Sequence, residues 1–195
     1  MSEPCWTICR EDLNLRPVLC LPDFLREHKI ALPAAEEARE LSSCCLEWPE
    51  LLSCLRLSLT GDTGNEHRSL LFIHLPQSVE GQVSEAWRRS PVQGYILHGL
   101  AQKLCRDALG SLLPEIGAAG CAPVPRLDPA EEAALRLALA AHLGAHLAPK
   151  GEKAAALPAA LPGMGRTYAL LTYYPYAGGC ICCALRENCP GLRHS

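Results

Sequence analysis

Four of the chain's twelve cysteines fall within ten residues, in the run Cys180-Ile181-Cys182-Cys183-Ala184-Leu185-Arg186-Glu187-Asn188-Cys189. Read as Cys180-x2-Cys183-x5-Cys189, the spacing brings three thiolates to a common centre through a tight turn. Two intervening residues let both flanking sulfurs face one ion at about 2.3 Å. Soft thiolates select zinc, copper(I) or iron–sulfur clusters. Cys182 is then a fourth ligand or a bystander, and Cys5, Cys9, Cys20 or Cys121 are the other candidates for a fourth sulfur. Gly178-Gly179 ahead of the run lets backbone N–H groups approach the centre closely. A redox pair, a disulfide, or no function at all are the competing readings of the same residues.

The remaining chemistry-bearing residues are less specific. Cys5-x3-Cys9 has Asp12 where a radical-AdoMet pattern needs a third cysteine. Cys44 and Cys45 are adjacent on an expected helix, about 100° apart, so they do not share one ion and read as buried small hydrophobes. Cys105 and Cys121 read as core. His142 and His146 have the i,i+4 spacing that suits a metal, but no glutamate follows His142, so the zinc-protease pattern is absent. The pair borders a leucine stripe and reads as a helix edge. His74 and His98 read as core or boundary residues, and Arg88-Arg89 as a solvated face. The Leu161–Arg166 stretch reads as a turn. There is no nucleophile elbow, no P-loop, no GxGxxG and no convincing general acid/base pair. Whether the chain is an enzyme is left open, and catalysis by its side chains is the least favoured reading.

The elements that must position these residues follow from composition and periodicity. The chain has 195 residues, of which 49% are apolar and 20% charged, with a formal charge of −3. That is an ordinary globular balance with mass for one core, and it excludes wholesale disorder and a global basic field for nucleic acid. No apolar run approaches the roughly 18 residues of a membrane span. The N-terminus shows no secretory signal pattern, which points to the cytoplasm, where clustered cysteines are more often metal ligands than disulfides.

Residues 1–30 read as an irregular segment, with a short helix opening at Asp23-Phe24-Leu25-Arg26. A helix is expected from Pro33 to Glu47, ended by Trp48-Pro49. Leu55, Leu57 and Leu59 alternate with Arg56 and Ser58, the period of a half-buried strand, and Leu70–Ile73 gives a second, more buried one. The two form an antiparallel hairpin with a polar tip. A helix capped by Ser78 follows, and then a long one opened by Ser90-Pro91, in which Gly94 and Gly99 mark close approach of a neighbour. Asp128-Pro129-Ala130-Glu131 has the pattern of a capping box. Lys150–Pro162 reads as a linker and Thr167–Tyr174 as a third strand. The order gives an α+β fold, an antiparallel sheet covered by helices, with an irregular Cys-rich tail. The expected organisation is 1–30 irregular, 31–176 the α+β domain, and 177–195 the metal-binding tail.

The stretch Leu70-Leu71-Phe72-Ile73-His74-Leu75-Pro76-Gln77-Ser78-Val79-Glu80, followed by Gly94-Tyr95-Ile96-Leu97-His98-Gly99-Leu100-Ala101, resembles the activation domain of cobalamin-dependent methionine synthase. In that family an apolar strand ends at a Thr-Leu-Gly-like turn, and a helix and then a Tyr-x-Leu-Asp-Ala-Ile-Gly-like helix opening follow. Family members bind S-adenosylmethionine through an Arg-x-x-Pro-Gly-Tyr-Gly loop. Arg126 and Pro129 match that loop, while Ala130-Glu131-Glu132 replace its Gly-Tyr-Gly. The resemblance thus implies a cofactor-binding role for Arg126 and Pro129. The replacement removes the close backbone approach that AdoMet needs and sets two carboxylates beside Arg126. Small stand-alone relatives look similar in ending with a cysteine cluster followed by arginine, which Cys180, Cys183, Cys189 and Arg193 fit.

The resemblance implies an accessory of a corrinoid methyltransferase system, with the tail holding an iron–sulfur centre for electron transfer or docking to a corrinoid or methyltransferase protein. No nucleic-acid or membrane partner is expected. Two alternatives stand beside it: a zinc-stabilised interaction module without redox chemistry, and an AdoMet-binding reactivation enzyme.

Overall fold

The computed structural model describes residues 6–61, 67–119, 121–143, 168–178 and 181–188. The hairpin expected from the leucine alternation is present. It consists of β2 (Ser53–Gly61) and β3 (His67–His74), paired antiparallel with Leu55 opposite Phe72. Its flanks are filled by β1 (Trp6–Asp12) and β4 (Ala169–Tyr173), giving a four-stranded antiparallel sheet in the order β1-β2-β3-β4. The fold is α+β.

Strand parity sorts the side chains into two cores. Leu71, Ile73 and Cys54 face a helical layer made of α1 (Leu21–Glu27), α2 (Ala35–Leu51), α3 (Gln77–Arg89), α4 (Pro91–Leu112) and α5 (Glu115–Ala119). Leu55, Leu57, Leu59, Leu70 and Phe72 face the other way, toward Leu135 and Leu139 of α6 (Pro129–Leu143). Both faces of β3 are therefore apolar, which is why Leu70–Ile73 reads as an unbroken hydrophobic run.

Besides the short, unexpected α5, three elements differ from the sequence expectation. Residues 6–12 are a strand within the segment read as irregular. Only Trp6 and Ile8 pack on the core, and Arg10-Glu11-Asp12 occupy the rest of the register, Asp12 opposite Leu55. Charges along a strand are common at a sheet edge, where they discourage further pairing, and they erase the alternation that would announce the strand. Secondly, α2 starts at Ala35 and runs through Pro49 to Leu51 instead of stopping at Glu47. Trp48 is fully buried and its Nε1 donates to Gln82 Oε1 at 2.7 Å, so tertiary packing overrides the local proline signal. Thirdly, Pro76 is the N-cap of α3 and Ser78 lies inside the helix.

The glycines in α4 behave as expected. A Cβ on Gly94 would lie 2.4 Å from Trp87 Cδ2 and 2.8 Å from its Cα, and one on Gly99 would lie 2.5 Å from Phe24 Cζ. Helix α4 is opened by Ser90, whose hydroxyl accepts from the Gln93 N–H. Among the described residues no helix is long and apolar enough to cross a membrane.

Candidate metal centre

The tail folds back onto the domain, and the connection between α5 and α6 receives it. This connection is fixed at its far end by the capping box. Asp128 Oδ1 accepts from the N–H groups of Ala130 and Glu131 at 2.8 Å each, and Glu131 Oε2 accepts from the Asp128 N–H at 2.8 Å. Glu131 is fully buried and pairs through Oε1 with Arg68 Nε at 3.0 Å. Arg68 also donates from Nη1 to the Arg126 carbonyl at 2.7 Å, so β3 holds both the first turn of α6 and the loop that leads into it. From β4, Thr172 Oγ1 donates to the Pro123 carbonyl at 2.8 Å, and the Tyr173 hydroxyl accepts from the Arg126 N–H at 2.9 Å.

Beyond β4 the chain reaches Gly178 at φ +84°, a left-handed conformation that glycine adopts without a Cβ penalty. Residues 181–188 follow and end in a 3-10 turn at Arg186–Asn188. Ala184 donates its N–H to the Val124 carbonyl at 2.9 Å, and Val124 donates its own N–H to Cys183 Sγ at 3.4 Å. The Cys183 carbonyl accepts from Arg126 Nε at 3.3 Å, from Arg126 Nη2 at 3.2 Å and from the Arg186 N–H at 3.3 Å. Cys183 is thereby buried against the loop. Cys182 turns the other way, its thiol donating to the Gly178 carbonyl at 2.9 Å, while its carbonyl lies 3.5 Å from the donating Tyr173 hydroxyl.

The two described tail thiols thus have different surroundings. Cys183 sits where an N–H dipole points at its sulfur, which therefore acts as a hydrogen-bond acceptor. Such N–H donors are the outer partners that orient metal-binding thiolates. Cys182 Sγ is instead a hydrogen-bond donor to the Gly178 carbonyl. The donor chemistry of Cys183 fits a soft metal. Cys180 and Cys189, its expected co-ligands, lie outside the described residues, and no group of three or more His, Cys, Asp or Glu gathers among the described ones.

The structure joins two features that the sequence placed apart, Arg126 and Cys183. The guanidinium of Arg126 is spent on the tail carbonyl, and Pro129 is the first residue of α6. Nothing in the spacing foretells this contact, because it depends on how loop 121–127 lies against β4. Cys121, read as core, is exposed, since no element covers the bend after α5. Cys9 is also exposed, and Cys20 is half-buried. Cys44, Cys45, Cys54 and Cys105 are buried. Burial pushes the thiols of Cys44 and Cys54 up to about 11 and those of Cys45 and Cys105 up to about 12, so all four are inert interior groups. His74 is buried beside Phe72, and His98 is half-buried with its Nδ1 2.8 Å from the Tyr168 hydroxyl. Arg88 and Arg89 pair with Glu85 and Glu40 at the surface. Cys5, the side chain of His142, His146, the Lys150–Pro162 and Leu161–Arg166 stretches, and Arg193 lie outside the described residues.

No protein-family model, no curated protein and no solved structure matches the chain.

Proposed function

We propose that the protein is an accessory of a corrinoid-dependent methyltransferase system whose C-terminal cysteines hold a metal or iron–sulfur centre used for electron transfer or docking. The observation that carries the reading is the seat of Cys183, with the Val124 N–H aimed at its sulfur and the Arg126 guanidinium on its carbonyl. Cys180 and Cys189, in the x2 and x5 spacing around it, are the further ligands. A cluster bound there supplies one-electron chemistry. The chain's own part is to hold the tail: Val124 orients one sulfur, Arg126 fixes the backbone that carries it, and Gly178 supplies a left-handed position ahead of the cysteine run. Support for a corrinoid partner comes from the resemblance of Leu70–Ala101 and of Arg126-x-x-Pro129 to the methionine synthase activation domain. The commitment of Arg126 to the tail weighs against a role in holding AdoMet.

Purification without oxygen, visible spectroscopy, and iron and sulfide analysis test the reading. Broad absorption near 400 nm with stoichiometric iron and sulfide is the expected result. Metal-free protein with reactive Cys180 and Cys183 would remove the centre altogether. Retention of the iron-loaded protein on an immobilised corrinoid protein tests the partner.

A zinc-stabilised interaction module is the second reading. Ile181 is 79% exposed at the tip of a turn whose neighbour Cys183 is buried, so the clamped tail offers an apolar contact point to a partner. Stoichiometric zinc without iron supports it.

A further inference from the structure

A cleft of about 260 Å³ lies where α4 overhangs the outer edge of β4, far from the tail chemistry in its lining. Gln102, Cys105 and Arg106 come from one side of α4, and Tyr168, Ala169 and Leu170 form the opposite wall. Their arrangement follows from parity. Leu75 donates to the Tyr168 carbonyl and Tyr174 donates to the Ser69 carbonyl, so Tyr168, Leu170 and Thr172 turn their backbone groups toward β3. Ala169 therefore turns its N–H and carbonyl away from β3. The Tyr168 and Leu170 side chains point to the α4 side and give the cleft an apolar wall.

Two polar side chains at this cleft are unspent. Among the described residues, neither the Arg106 guanidinium nor the Gln102 carboxamide has a hydrogen-bond or ion-pair partner. By contrast Arg16, Arg26, Arg56, Arg68, Arg88, Arg89 and Arg136 all pair with carboxylates. The other polar groups of the lining carry no charge. The Cys105 thiol and the Tyr168 phenol are both raised to about 12, chiefly by burial, and the phenol is hydrogen-bonded to His98. Glu80 lies close enough to Tyr168 to add negative potential on that side.

We propose that this cleft is a binding site for a small organic monocarboxylate with an apolar body. Arg106 and Gln102 supply the planar donors that match a carboxylate, and Tyr168, Leu170 and Cys105 supply the surface for the body. The volume lies just below the roughly 300–1,000 Å³ of drug-sized sites, which limits the ligand to a small one. A single guanidinium with Glu80 nearby disfavours a doubly charged phosphate. The site shares no residue with the tail and does not depend on its metal.

Titration of the ¹⁵N-labelled full chain with phenylacetate, and separately with its neutral counterpart phenylacetamide, tests the site. Phenylacetate is expected to shift the amides of Gln102, Arg106, Ala169 and Leu170 with a Kd on the order of 1 mM. Phenylacetamide is expected to bind at least about tenfold more weakly. Arg106→Gln should abolish that preference, whereas Arg10→Gln, which removes an exposed cation on β1, should leave it intact. Equal response to the acid and the amide, an unchanged preference in Arg106→Gln, or shifts scattered away from α4 and β4 would overturn the proposal. Arg106 is an exposed helix residue, so its replacement leaves the fold available for the comparison.

Discussion

The Arg126 guanidinium donates twice to the Cys183 carbonyl, across 57 positions of sequence, and this contact fastens the tail to the domain. Removing it should release the tail without unfolding the core. Arg126→Ala is expected to cost about 1 kcal/mol of docking, roughly a fivefold rise in the open population, because the Ala184–Val124 backbone bond and the Val124 N–H contact to Cys183 Sγ remain. The check is the rate of N-ethylmaleimide labelling of Cys183 in chelator, mapped by peptide mass spectrometry against Cys105 as the internal buried reference. A Cys183-to-Cys105 ratio unchanged by the substitution means that the guanidinium does not hold the tail.

Two glycines of α4 are close-packing sites and not merely weak helix formers. Alanine at either gains up to about 1 kcal/mol of helix propensity. At Gly94 the new methyl meets both the ring and the Cα of Trp87, which cannot move independently of α3. At Gly99 it meets the ring of Phe24, which is fully buried. Overpacking should win at both, for a net loss of about 1–3 kcal/mol in urea unfolding, larger for Gly94→Ala. Stabilisation by either substitution contradicts the packing described.

The capping box that fixes the receiving loop has its own signature. Asp128→Ala leaves two N–H groups of the first turn without their acceptor and should lower stability by about 1 kcal/mol. Asp128→Asn, which keeps a capping oxygen, should recover most of it. Failure of the asparagine variant to recover stability would mean that charge at the helix start matters more than the hydrogen bonds.

Acid sensitivity is expected at the junction of α2 and α3. The Arg89 guanidinium, hydrogen-bonded to Glu40 at 2.7 Å, holds the Glu40 carboxyl below the ordinary carboxylate range, with help from Gln93. A folded-state value below the unfolded value of about 4.3 means that the stabilisation is present above that pH. It is lost as pH falls through the lower folded value. Glu40→Gln should therefore be less stable than the parent at pH 7 and converge with it below about pH 4. Both partners are substantially exposed, so the gap should be small and shrink in 1 M salt. A gap of the same size at pH 3 contradicts the assignment.

Much of the architecture is readable from local pattern, because the signals that matter there are local. Leu55, Leu57 and Leu59 alternate because one face of β2 is apolar, and Asp128 and Glu131 are three apart because a helix start brings those positions together. The failures share a cause as well. Trp6 and Ile8 offer only two alternating apolar positions before the charges begin, and Pro49 says stop although the burial of Trp48 says continue. Of the candidate site, Cys183 stands out by its spacing and Arg126 by the Arg-x-x-Pro resemblance, but their contact is not legible, since it depends on how loop 121–127 lies against β4. Arg106 gives no sequence signal at all. It is one arginine on a helix, and only its place beside Gln102 at the cleft, without a partner among the described residues, distinguishes it.

Strand β3 carries Leu70-Leu71-Phe72-Ile73, apolar on both faces, and among the described residues its far edge pairs with β4, which begins at Ala169, long after β3 ends at His74. On the ribosome that edge waits on the order of ten seconds for its partner at ordinary elongation rates. During that interval it is a bare, sticky template for another chain's strand. β4 is thus a guard against self-association as much as a piece of the sheet. Slowed translation or proline insertion between Ala169 and Tyr173 should appear first as insoluble protein in the cell.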